Sequence, residues 1–122
     1  MRLLLNDAER LIPWAAKAIG VSFFSDARAI GWGDDETIRA AAIYDRWSDI
    51  DCSVHLASDR TGRWMTRQFL AAGFHYPFIT NGLRRIAGLV QADNPEALRL
   101  DLHMGWKREG IIREAGENGC DI

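Results

Sequence analysis

Arg84-Arg85-Ile86-Ala87-Gly88-Leu89-Val90-Gln91-Ala92-Asp93-Asn94-Pro95-Glu96-Ala97 decides how this chain of 122 residues is read. Ile86 to Val90 is an apolar run of strand length, with Gly88 as a bulge or a point of close backbone approach. Asn94, Pro95 and Glu96 then supply an N-cap side chain, a ring that presets φ at the first helical position and a carboxylate in the first turn. The helix so begun is expected to stop at Gly105. A strand that passes into a capped helix is the unit from which α/β layouts are assembled.

Beyond the helix, Lys107 to Arg113 reads as a final strand and Asn118-Gly119 as a tight hairpin turn. Only Cys120, Asp121 and Ile122 remain for the return, so most of the last strand is expected to be lacking. In the other direction, Cys52 to Ala57 is a strand with Cys52, Val54 and Leu56 on one face and Ser53 and His55 on the other. The polar stretch Ser58-Asp59-Arg60-Thr61-Gly62 follows, and Met65, Phe69 and Ala72 place a helix from Arg63 to about Phe74. Tyr76-Pro77 should break or kink it, and Asn81-Gly82 turns the chain back.

Further upstream, Ala27 to Trp32 and Thr37 to Tyr44 pair as a hairpin about Gly33-Asp34-Asp35-Glu36. Ile38, Ala40, Ala42 and Tyr44 share one face and Ala41 and Ile43 the other, the pattern of a central strand covered on both sides. The chain opens with a short strand at Leu3 to Leu5. Asn6 with Glu9 then resembles a capping box, and Leu11, Trp14, Ala15 and Ala18 recur at helical spacing up to Gly20. Pro13 inside that helix predicts a kink or two short helices.

The bulk numbers bound the answer. An apolar fraction of 48% furnishes one core, so residues 1–122 are expected to form a single domain. A net charge of -2 with interspersed signs gives no attraction for nucleic acid. No run approaches a membrane span, and Met1 to Leu5 is too short for a signal peptide, so no membrane partner and a cytoplasmic location are expected. Cys52 and Cys120 read as reduced thiols. Neither they nor the three histidines have ligand spacing, and no metal is expected.

The order of elements, together with Asn94-Pro95-Glu96-Ala97, Met104-Gly105-Trp106 and Glu109-Gly110, resembles the GNAT superfamily of N-acetyltransferases. That family's second acetyl-CoA motif is a strand, then Asn-x-x-Ala on a helix ending in Leu-Gly-Phe, with Glu-Gly beyond. The match covers the C-terminal third well and the middle third loosely, and is most similar to short GNAT-like proteins of bacteriophages, which implies a host cytoplasm. The implied fold is α/β (α+β): a mixed, mostly antiparallel sheet flanked by helices.

The resemblance implies acetyl-CoA as co-substrate and an amine of unknown identity as acceptor. Backbone groups around Val54, His55, Leu56 and Ala57 would contact the pantetheine arm, and Arg60, Thr61, Gly62, Arg63 and Trp64 occupy the place of the pyrophosphate loop. Gly62 matches the first glycine of the family's Gln/Arg-x-x-Gly-x-Gly/Ala pattern. Asp59 stands where a basic or amide residue is usual, and Trp64 where the second glycine is. Asn94 would border the cofactor, and Asp101 stands where a tyrosine commonly protonates the leaving thiolate.

His55, on the strand beside the implied cleft, is the candidate base; its competing role is that of a hydrogen-bonded structural histidine. Trp64 either lies against the cofactor or packs its helix onto the sheet, and Arg60, Arg63 and Arg67 either meet phosphates or form a solvated face. Trp14 and Trp32 fall on core faces. Three functions remain open: an acetyl-CoA-dependent N-acetyltransferase, a catalytically degenerate GNAT-like module with a structural or host-protein-binding role, and an unrelated α/β interaction domain. An uncapped sheet edge leaves a homodimer open as well.

Overall fold

The hairpin about Gly33 is the centre of the sheet. In the computed structural model, which describes residues 1–122, β1 (Arg2–Leu4), β2 (Arg28–Gly33), β3 (Ile38–Asp45), β4 (Asp51–Ser58) and β5 (Arg85–Ala87) form one five-stranded sheet in that order. Pairing is antiparallel from β1 to β4 and parallel between β4 and β5. The fold is therefore the mixed, mostly antiparallel arrangement expected. Contacts divide the chain into two compact units, Met1–Gly88 and Leu89–Ile122.

In the first unit the alternation read from β3 is realised on both faces. Helix α1 (Ala8–Ile19) lays Leu11 and Ala15 on a core of Leu4, Ala29, Ala41, Ile43 and Ala57. Burying a leucine such as Leu11 is worth about 1.5–3 kcal/mol. On the opposite face, buried Tyr44 donates its hydroxyl to the Gly73 carbonyl of helix α2 (Arg67–His75) at 2.6 Å. Gly31 is on the α1 side, where a Cβ would press on Leu11.

Several boundaries differ from expectation. Helix α1 is continuous through Pro13, with Asp7 rather than Asn6 at its N-cap. The Asp7 carboxylate makes no cap bond; it accepts from Arg10 Nε at 2.8 Å, and the Arg10 guanidinium reaches on to the Asp34 and Asp35 carbonyls of the hairpin loop. Pro13 is tolerated because its ring lies on the exposed side of the helix. Helix α2 starts at Arg67, four residues later than read, because Thr66 Oγ1 accepts the Phe69 amide at 3.1 Å and so closes the first turn. It then widens into one π-helical turn at Tyr76–Thr80, where Pro77 has no amide to continue the regular ladder.

In the second unit, helix α3 (Pro95–His103) carries the cap read from the sequence: Asn94 Oδ1 accepts from the Ala97 amide at 3.3 Å. No strand forms over Lys107 to Arg113. Instead, Ile112 and Ile122 exchange bonds of 2.6 and 2.9 Å between their amides and carbonyls. Gly119 takes φ 74 in the turn that joins them. Strand β5 is likewise shorter than Ile86 to Val90, ending at Ala87, where its only partner strand leaves it.

Candidate active site

Strands β4 and β5 pair at three positions, Asp51 with Arg85, Cys52 with Ile86 and Ser53 with Ala87. Beyond Ser53, β4 continues for five residues with a partner only on its β3 side. The direction of its main chain follows from two bonds. The Ile50 carbonyl accepts from the Arg84 and Arg85 amides on the β5 side, and the Asp59 amide donates to the Arg39 carbonyl on the β3 side. Peptide groups alternate sides along a strand, so those of Val54 and Leu56 face the opening while those of His55 and Ala57 are engaged with β3. An unpaired strand edge presents an N–H and C=O pair ready for a ligand of matching polarity.

His55 and Ala57 lie opposite Ile43 and Ala41, and therefore carry their side chains on the α1 face. Ala57 is core. The His55 side chain is 30% exposed, and its Nε2 is 2.9 Å from Oδ1 of Asp45, a carboxylate with only 2% exposure. Asp45 Oδ2 accepts the Phe24 amide at 3.1 Å, and the Phe23 ring meets the imidazole edge-on with centroids 5.1 Å apart. Sequence reading missed Asp45 by ending β3 at Tyr44. The signal was present, since one more step of alternation puts residue 45 on the face of Ile43.

The loop after β4 is held largely by its own side chains. Ser58 Oγ accepts the Arg60 amide at 3.2 Å, Asp59 Oδ1 accepts the Thr61 amide at 3.0 Å and its hydroxyl at 2.7 Å, and Thr61 Oγ1 accepts the Arg63 amide at 3.4 Å. Asp59 Oδ2 pairs with Arg39 at 2.9 Å. Burial pushes the Asp59 carboxyl up, but the hydrogen bonds from Thr61 and Arg39 outweigh it and leave it below its ordinary value. The amides of Gly62 and Trp64 are left for anything outside the loop. Gly62 has φ 77 with open space where a Cβ would point, whereas the Trp64 indole is buried with its ring edge-on to Phe69 at 6.1 Å. Arg60, Arg63 and Arg67 are exposed.

Asn94 and Asp101 belong to the second unit. The cap bond occupies Asn94 Oδ1 and leaves its amide group as a donor. Asp101 is half-buried on α3, and burial pushes its carboxyl up from the ordinary range, toward a group able to hold a proton. Cys52 on β4 is buried, and burial above all pushes its thiol up to about 11, away from the thiolate that a nucleophile needs. No group of three or more His, Cys, Asp or Glu is arranged to hold a metal ion, and no helix is long and apolar enough to cross a membrane.

No protein-family model and no curated protein sequence matches the chain. Solved structures do. Mutant forms of the spermidine/spermine N-acetyltransferase SpeG from Vibrio cholerae superpose with TM-score 0.67 at 17% identity, over 78% of this chain and 62% of that one. Another SpeG variant from Vibrio cholerae gives TM-score 0.71 at 17% identity, over 99% of this chain and 90% of that one. The N-acetyltransferase PseH of Campylobacter jejuni, in complex with acetyl coenzyme A, gives TM-score 0.60 at 13% identity, over 80% and 66%. The chain thus spans 62% of the length of the first of these proteins. Superposition on these enzymes shows that the chain has the fold of the GNAT-type N-acetyltransferases.

Proposed function

We propose that this chain is an N-acetyltransferase that moves the acetyl group of acetyl-CoA to an amine acceptor. The observation that carries the reading is the parting of β4 from β5 after Ser53 and Ala87, which leaves the peptide groups of Val54 and Leu56 unpaired. The pantetheine arm is a chain of two amides, and a strand edge with free donors and acceptors matches it. The Gly62 and Trp64 amides, with the guanidinium groups of Arg60, Arg63 and Arg67, suit the diphosphate. Of the four residues to which the resemblance gives the arm, His55 and Ala57 have their backbones bonded to β3, so the reading gives the arm contact to Val54 and Leu56.

The acceptor nitrogen bonds to the acetyl carbon, the carbon–sulfur bond breaks and the electron pair leaves with sulfur. The amine proton needs a base, and His55 beside the opening supplies one. For Asn94 and Asp101 the cofactor contact and the protonation of the thiolate rest on the family resemblance; the raised carboxyl of Asp101 is in keeping with a donor.

Calorimetry with acetyl-CoA and desulfo-CoA, followed by thiol release over a panel of amines, polyamines and N-terminal peptides, tests the proposal. Binding of both ligands and acceptor-dependent thiol release are expected, with binding lost on Gly62→Val. Absence of heat at millimolar ligand overturns the reading. Binding without thiol release from any acceptor leaves the degenerate module instead.

A further inference from the structure

We infer that Asp45 is the positioning residue of the acetyl transfer, holding His55 as the Nε2–H tautomer so that the Nδ1 lone pair is the base. The inference rests on the acetyltransferase reading for its catalytic half only. A carboxylate with 2% exposure on the apolar α1 face is costly to desolvate, and it persists where its oxygens are hydrogen-bonded. Asp45 has two such partners, the Phe24 amide on Oδ2 and His55 Nε2 on Oδ1. A carboxylate at Asp45 can only accept, which assigns the proton of that contact to Nε2 and the lone pair to Nδ1. The strand backbone, Asp45 and the Phe23 ring at 5.1 Å together fix the plane of the imidazole, while the side chain stays 30% open. His55 rises from β4 between Val54 and Leu56, the two residues whose peptide groups face the opening. In the transfer the amine gives its proton to Nδ1, and Asp45 stabilises the resulting imidazolium without itself taking a proton.

The test combines a measurement that needs no substrate with one that does. Nitrogen-15 spectra of the histidine-labelled protein are expected to show His55 protonated at Nε2 in the wild type and as a mixture of tautomers in Asp45→Leu. Melts monitored by circular dichroism check that each variant folds. Asp45→Asn, which keeps the shape and the Phe24 acceptor, is expected to lower kcat by roughly 10²-fold with KM for acetyl-CoA unchanged. In a His55→Ala background the same substitution should lower kcat no further. Additive losses, a change confined to KM, or an Nδ1–H ring in the wild type would overturn the inference. If the wild type releases no thiol with any amine, the acetyltransferase reading has failed, and the tautomer spectra alone decide whether Asp45 sets the ring.

Discussion

Ser53 and Ala87 are the last residues at which β4 and β5 stand side by side, and from Val54 onward β4 is bonded on one edge only. Which peptide groups face the opening is set by alternation, and that makes single residues of the strand separable by experiment.

Val54→Pro removes an amide that points into the opening and leaves the β3 ladder whole, since that ladder is made by Ser53 and His55. Acetyl-CoA affinity is expected to fall by roughly 10-fold, the worth of about one hydrogen bond, with little change in melting temperature. His55→Pro deletes a ladder bond instead and should destabilise the sheet. Calorimetry and thermal melts on the pair distinguish the two edges.

Pro13 is exposed inside a continuous α1, where its ring denies the Glu9 carbonyl a helical donor. Pro13→Ala should restore that bond and stabilise the fold by up to about 3 kcal/mol, read as a rise in denaturation midpoint at constant slope.

Gly33 ends β2 at a register shift, and a Cβ there would collide with the Thr37 carbonyl oxygen and approach Ile38 Cα to 3.0 Å. Both obstacles are backbone and cannot rotate away. Gly33→Ala is expected to cost about 2–3 kcal/mol in urea unfolding.

Asp59 makes the loop sensitive to acid. Its folded carboxyl lies below the ordinary value of 3.8, because the Thr61 and Arg39 hydrogen bonds exceed the effect of burial. A depressed folded value contributes stability that is present in full above that ordinary value and disappears as the pH falls through the folded one. Asp59→Asn should therefore be less stable than wild type at pH 7, and the gap should close below 3.8 in a pH series of denaturant melts.

Much of the layout was legible because it depends on near neighbours. The period-2 pattern of β3, the polar loop at Asp34 to Glu36 and the Asn94-Pro95-Glu96 cap each act within a few residues, and each is present as read. Pro13 and the start of α2 were misread for different reasons, one tertiary and one local. Burial of Leu11 and Ala15 on the sheet holds α1 together through its proline, and the Thr66 cap delays α2. The candidate site divides in the same way. His55 and Gly62 stood out by residue type and position, but that Asp45 is within 2.9 Å of His55 is a matter of strand register.

The sequence by itself determined the alternation of β3, the turn at Asp34 to Glu36 and the Asn94 cap, because those preferences act within one or two turns of chain. Only the tertiary structure decided where β4 leaves β5, and hence that Val54 and Leu56 turn unpaired peptide groups outward while a buried carboxylate grips His55. Such pairings join residues ten or more positions apart, and their geometry is fixed by the packing of the whole sheet rather than by any local preference.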